Sequence, residues 1–360
     1  MFCPLFDEVD LCVPVFEGPP PEGESSVCLT NLTVRPLIPY YHSYEIQALA
    51  KPYPLMRGLW PYIKNSDFVL INIPNYLGIL AWLVCLLQRK RFALRLAGNW
   101  AQVIRLAFYN HKMKVLGDIS YWLHHLLVTV MIKTSNATLA HGQELAELYG
   151  SKNSQVVRII SSTIHDTDVA SCIAESGKEE CQFLYVGRFE LSKGLFELLH
   201  AAKALKDENM NFLIRMAGDG PRLDYFKNIG NELGINDRIE YLGWVGYEGL
   251  KEIYRTSDAF VFPSYSETGP KVVIESMANG LPVIVTKVGS VPVVMEDQKT
   301  GFIIPVKDIP ALKNALRKMI LERDLRRAMA QSCLIRARQF TMESERDCVH
   351  NIFKKNNLFP

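Results

Sequence analysis

Ser264–Thr286 reads "SYSETGPKVVIESMANGLPVIVT", a turn-rich loop, then a helical stretch, then a short β-branched run. Glu267 and Glu275 stand eight residues apart in a segment whose other residues, Lys271 aside, are apolar, small or turn-forming. Val272, Val273, Ile274, Met277 and Ala278 surround Glu275, so the helix reads as buried on most of its surface. An unpaired carboxylate there would cost several kcal/mol. Either Glu275 meets a cation or donor inside the core, or its side of the helix opens on a cleft where a ligand's hydroxyls supply donors.

The sequence around this stretch has the rhythm of an open α/β sheet. "CQFLYVG", "NFLIRMAG", "RIEYLGWV", "DAFVFPS", "PVIVT" and "GFIIPV" read as strands, separated by helical stretches such as "PRLDYFKNIGNELG", with Pro221 at its first position and Gly234 near its end. Upstream, "DFVLINI", "RFALRLAG", a strand near Ala137–Leu139 and "VVRIISS" alternate with helices in the same way. Two doubly wound α/β domains are expected, with the boundary at about residue 175 in the charged stretch "ESGKEE". The domains are then 1–175 and 176–340, and a last helix in 341–360 returns toward the first. A chain of 360 residues is the right length for two such cores.

Composition is ordinary for a globular protein: 48% hydrophobic, 22% charged and a net charge of +2, which does not favour nucleic acid as a partner. The charge is unevenly spread. Residues 1–34 carry six acids and no Lys or Arg, whereas residues 35–133 carry twelve Lys plus Arg against Glu45, Asp67 and Asp118. Trp60, Trp82, Trp100 and Trp122 fall in the same window. That pattern fits an anionic ligand or surface, or simply a solvated basic face. Phe68–Leu87 is the most apolar run, but Asn72, Pro74 and Asn75 break it into a strand, a turn and a helix rather than a membrane span. Eight scattered cysteines show no metal-ligand spacing, and with no secretory signal at the start they are expected as reduced thiols of a cytosolic protein.

Ligands of open α/β sheets bind beyond the carboxyl ends of the strands. Here those ends carry "GRFELSKG" (Gly187–Gly194), "GDGP" (Gly218–Pro221), "GWV" (Gly243–Val245) and "PSYSETGPK" (Pro263–Lys271). Arg188 and Lys193 suit a diphosphate, or are a pair of surface cations. Pro270 starts a helix whose first amides, at Lys271 and Val272, are placed for an anion, although Thr268 as a plain helix cap explains the same residues. Phosphate-loop, dinucleotide, zinc-protease and serine-elbow motifs are absent from the sequence.

The run from "GRFELSKG" through "MAGDGP", "LGWV" and "SYSETGPKVVIESMANGLPVIVTKVGSVPVVMEDQKTGFIIPVKD" resembles the donor half of the family-4 (GT4) retaining glycosyltransferases, with Glu267 and Glu275 matching its E-x7-E pattern. The resemblance covers residues 180–340. It implies a GT-B fold, two Rossmann-like domains facing a central cleft, with a nucleotide-sugar held mainly by the second. By position, Arg188 and Lys193 would neutralise the donor diphosphate and Glu275 would bind the ribose hydroxyls. Glu267 would orient the transferred sugar, helped by Thr268, Gly269, Pro270, Lys271 and Val272. Gly187 would also contact the donor, and Val245 would lie beside the base. The resemblance implies no metal and no cofactor beyond a UDP- or GDP-sugar co-substrate, and a glycan or lipid-linked acceptor.

Residues 1–57 depart from that family. They hold only Gly18 and Gly23, with no glycine pair, and "AGNW" (Ala97–Trp100) stands where the family often has a histidine. The first domain therefore reads as N-terminally shortened or diverged, and a catalytically impaired nucleotide-sugar binder is the alternative. The basic, Trp-rich window adds a peripheral location on the inner face of a membrane as an expectation, with Leu77–Leu87 and the following "QRKR" either as the contact or as an ordinary buried helix.

Overall fold

The structure is a computed structural model that describes residues 5–16, 31–40, 52–99, 114–150, 155–173, 176–267 and 269–358. The Glu17–Ser26 turn region, Trp100, Glu175 and Thr268 lie outside these residues. The chain forms two compact units. One comprises Met1–His141, Leu145–Ile159 and Arg346–Pro360, the other Gly142–Glu144 and Ile160–Glu345.

The first unit contains a four-stranded parallel sheet, β3 (Val69–Ile73), β4 (Phe92–Leu96), β5 (Ala137–His141) and β6 (Val156–Ile159), in that spatial order. A separate parallel pair is formed by β1 (Val9–Phe16) and β2 (Leu32–Tyr40). The strands alternate as a two-residue period requires. Phe92, Leu94 and Leu96 pack into a core with helices α1 (Pro52–Asn65), α2 (Tyr76–Gln88) and α3 (Lys114–Thr134). Ala93 turns to the opposite face with Leu139, Ile159 and Val349, Ile352 and Phe353 of the C-terminal helix. Helix α4 (Gln143–Gly150) connects β5 to β6.

Helix α2 begins where Asn75 Oδ1 accepts the Gly78 amide at 2.6 Å, and ends at Arg89 in a left-handed conformation. Gly78, Trp82, Val84 and Cys85 are buried, so this helix is a core element and only Leu86 and Leu87 at its end are exposed. That leaves little of Leu77–Leu87 free to contact a surface. The region around Ile119–Val128 belongs to a longer helix, α3, of 21 residues.

The second unit is a six-stranded all-parallel sheet. Its strands are β7 (Cys181–Val186), β8 (Phe212–Ala217), β9 (Ile239–Gly243), β10 (Ala259–Phe262), β11 (Val283–Thr286) and β12 (Gly301–Ile304), in spatial order β12-β11-β10-β7-β8-β9. The chain winds outward from β7 in one direction and from β10 in the other, which is the doubly wound topology with a switch point between those two strands. Helices α5 (Leu195–Asp207), α6 (Leu223–Glu232), α7 (Tyr247–Arg255), α8 (Lys271–Ala278), α9 (Val291–Val294), α10 (Ile309–Leu321) and α11 (Arg323–Ala337) connect and flank the strands, and α12 (Met342–Lys355) follows. The central strands "CQFLYV", "AFVF" and "VIVT" are buried at every residue, as expected when helices cover both faces.

Two boundaries differ from the sequence reading. Pro221 sits in a turn before α6 rather than inside it, because Leu223 N–H bonds the Gly220 carbonyl at 3.1 Å and the helix starts there. Residues Ile160–Glu345 go with the second unit, where Ala170 N–H donates to Ala278 O at 2.8 Å and Thr163 reaches Glu275.

Candidate functional site

The carboxyl ends of the strands in the second unit meet closely. Gly187 N–H donates to Ala217 O at 3.0 Å and Gly218 N–H to Gly243 O at 2.7 Å, linking the ends of β7, β8 and β9. A side chain at Gly218 (φ +139°) would run into the Gly187 carbonyl, so glycine is required for this approach. The β7 and β10 loops touch as well: Tyr265 N–H donates to Ser192 O at 2.8 Å, and Gly194 (φ +68°) lies against the Pro263 carbonyl.

At this switch point Lys193 Nζ and Glu267 Oε1 form an ion pair at 2.7 Å, with side chains only 20% and 14% exposed. The Lys193 ammonium also lies over the Phe262 ring, 5.6 Å from its centre. Beneath it, burial pushes the Tyr185 phenol well above its usual pKa, and the charges of Glu267 and Glu190 add to that. Its hydroxyl donates to Arg188 O at 3.0 Å, which pins the backbone just after Gly187. The Arg188 side chain turns outward, 71% exposed, and pairs with Glu190 at 3.0 Å. Lys193 and Glu267 are thus brought together, while Arg188 pairs with Glu190 instead.

Glu275 occupies the inner surface of α8. It meets hydroxyl donors rather than a cation: Thr163 Oγ1 donates to Oε1 at 2.5 Å and Tyr254 OH to Oε2 at 3.4 Å. It also lines a cavity of about 320 Å³ with Asp168, Tyr247, Lys251, Tyr254 and Asn279. Both answers to the opening question therefore apply, a donor in the core and an opening beside it. A carboxylate offers about four acceptor sites, so two protein hydroxyls leave capacity for a ligand. Burial and then Glu275 push the Tyr254 phenol far above its usual range, keeping it a donor. Opposite, Lys251 Nζ pairs with Asp168 at 3.2 Å and lies over the Tyr247 ring at 4.5 Å. Burial raises the Asp168 carboxyl, but the His165 amide, Lys251 and Tyr247 outweigh it and hold it below the usual value.

The remaining residues singled out in the sequence fall around these two groups. Gly269 and Pro270 lead into α8, and Pro270 is its cap residue. The Lys271 amide, expected to face an anion, is instead taken up by Gly269 O at 2.9 Å, because the chain makes a tight turn before the helix. Val272 packs against the core, and Val245 lies in the loop after Gly243, partly buried beside the exposed Trp244. Among the described residues no group of three or more His, Cys, Asp and Glu converges as a metal site would require.

Sequence reasoning missed Thr163, Asp168, Tyr247, Lys251 and Tyr254. Thr163 and Asp168 come from a loop more than a hundred residues before Glu275, with no motif to mark them. Tyr247 and Lys251 stand four apart, one turn on α7, which shows only that they share a face.

Residues 172–333 match the family Glycosyl transferases group 1. A D-inositol 3-phosphate glycosyltransferase of Corynebacterium jeikeium is 29% identical over 178 residues, covering 48% of this chain and 42% of that protein. The chain thus spans about two-fifths of the length of the curated relatives it matches. Among solved structures, sucrose-phosphate synthase from Thermosynechococcus elongatus superposes with a TM-score of 0.69 at 17% identity, covering 97% of this chain and 88% of that one. HepE of Anabaena, solved in complex with UDP, gives 0.66 at 15% identity, covering 90% and 86%. These likenesses carry the fold across both units. Residues 172–333 are therefore similar to the group 1 glycosyltransferases, in a chain that has the GT-B fold of two Rossmann-like units.

Proposed function

We propose that this chain is a retaining, metal-independent, hexosyltransferase-like enzyme that moves a sugar from a nucleotide-diphosphate donor to a glycan or lipid-linked glycan, as in cell-surface polysaccharide synthesis. The observation that carries this reading is the division of labour between Glu267 and Glu275: one is ion-paired to Lys193 at the switch point, the other lines a cavity with hydroxyl partners.

Breaking the bond between sugar and phosphate builds negative charge on the departing diphosphate. Lys193, with Arg188 able to leave Glu190 at the surface, supplies fixed positive charge where that charge develops. Lys193 then exchanges one anionic partner, Glu267, for another, and Glu267 is released to accept hydroxyls of the sugar. Glu275 accepts hydroxyls of the ribose. In a same-face reaction the leaving phosphate takes the acceptor's proton, so Glu267 orients the sugar and need not be the nucleophile. UDP is the first nucleotide to try, since UDP occupies the Anabaena protein of similar fold.

The test is a thermal-shift panel of UDP-, GDP-, ADP- and CMP-sugars on the wild type and on Lys193→Ala, followed by an assay for release of the nucleoside diphosphate. One base class should stabilise the protein, Lys193→Ala should weaken that effect, and donor turnover should be measurable. Equal or absent shifts for all four classes would rule the reading out. Stabilisation without any diphosphate release would instead identify a nucleotide-sugar binder.

A further inference from the structure

We propose that the outward face of α3 is an in-plane docking surface for an anionic lipid bilayer. This goes beyond the donor-site reading and does not depend on it. Val115, Leu116, Ile119, Trp122, Leu123, Leu126 and Val130 are all exposed, from 40% at Val130 to 72% at Val115. At 100° per residue they fall in a single sector of roughly 120°, an unbroken apolar stripe. The opposite side is the packed one: Gly117, Val128, Met131 and Ile132 are buried, the last three in the core of the first unit, and the polar residues Ser120, His124 and His125 share the remaining surface. Large apolar side chains exposed in one unbroken stripe mark a contact surface, and the described residues leave this side open.

The helix has 21 residues and an 18-residue window of mean hydropathy 1.4, enough by length and composition to cross a bilayer. It is nevertheless tied into the fold. Val128, Met131 and Ile132 pack on the sheet, and Trp82 Nε1 donates to Thr134 Oγ1 at 2.9 Å. Among the described residues only the outer face is uncovered, so the helix would lie in the plane of the interface, with Trp122 at the headgroup level.

Charge selects the occupant. The stripe ends in exposed cations, Lys114 before Val115 and Lys133 after Val130, with Asp118 as the only acid in the helix. Two copies meeting through this face would bring like charges together, whereas an anionic bilayer attracts them all. A lipid surface also accepts a long convex stripe without needing a matching groove.

The experiment is vesicle flotation of the full chain, using phosphatidylcholine vesicles with and without phosphatidylglycerol, at low and high salt. The wild type should float with the anionic vesicles at low salt. Trp122→Glu and Leu126→Glu should each reduce the bound fraction by roughly tenfold or more. Lys114→Gln and Lys133→Gln should each weaken binding by roughly fivefold at low salt, and less at high salt. These residues are exposed, so circular dichroism and the donor-induced thermal shift should be unchanged, which separates failure here from failure of the donor site. No preference for anionic vesicles in the wild type, or wild-type flotation of the Glu variants, would overturn the proposal. A wild-type dimer in light scattering that Leu126→Glu dissociates, with no vesicle binding, would assign the stripe to a second copy instead.

Discussion

Glu275→Gln is the most informative single change at the candidate site. The carboxylate accepts from Thr163 at 2.5 Å and from Tyr254 at 3.4 Å, and on the proposed reading also from two ribose hydroxyls. Glutamine has nearly the same shape but only one acceptor oxygen, so its amide nitrogen must face a hydroxyl that had been donating. A hydrogen bond to a charged group is worth about 1.5–3 kcal/mol, and losing one from the complex should weaken the donor roughly tenfold to a hundredfold. At a donor concentration of about 100 times its Kd, ligand stabilisation is about 2.7 kcal/mol, and a tenfold loss of affinity halves it to about 1.4. With roughly 2–4 °C per kcal/mol for a unit of this size, a donor-induced shift of roughly 5–11 °C should fall to roughly 3–6 °C. The unliganded variant should lose about 1 kcal/mol from its imperfect pairing with Thr163 and Tyr254, so the quantity to compare is the donor-induced shift. Calorimetry gives the Kd directly. Equal donor-induced shifts in wild type and variant would refute the assignment of Glu275 to the ligand.

Other outcomes follow from the same geometry. Gly194→Ala places a side chain at φ +68° against the Pro263 carbonyl and should cost about 2 kcal/mol or more in urea unfolding, whereas Gly269→Ala, which meets nothing within 4 Å, should be near neutral; equal losses would refute the close approach of the β7 and β10 loops. In the native protein a maleimide should label Cys172 and Cys348, which are exposed, and spare Cys85 and Cys181, which are buried with thiols pushed up to about 12; peptide mass spectrometry that finds the buried pair labelled first would contradict this packing. Asp168 titrates below its usual value when folded, so its contribution is present above the unfolded pKa of about 3.9 and disappears as pH falls through the lower folded value. Asp168→Asn should therefore flatten the acid limb of a plot of urea midpoint against pH, and superimposable curves for the two proteins would remove Asp168 from the account.

Much of the second unit was legible because its strands are buried on both faces. Continuous runs such as "CQFLYV" and "AFVF", each followed by glycine or proline, leave little else for the chain to do. Glu275 stood out for the same reason, since a carboxylate amid Val, Ile and Met needs a partner. The Lys193–Glu267 pair was only half legible. Both residues could be marked at strand ends, but their pairing depends on β7 and β10 being neighbours although 72 residues separate Val186 from Ala259.

The face of α3 shows the opposite case. Its sequence places apolar residues on both the covered and the open side, so periodicity could not say which would be covered, and Leu77–Leu87 drew attention instead. Packing on the sheet took one side of α3 and all but the end of α2. What the sequence determined by itself was the order of strands and helices and the chemistry at each strand end, because these depend on local pattern. Which hydroxyls reach Glu275, which cation meets Glu267 and which apolar face remains open were decided only by the tertiary structure. Each is a contact between segments far apart in the chain, and only the sheet order brings them within reach.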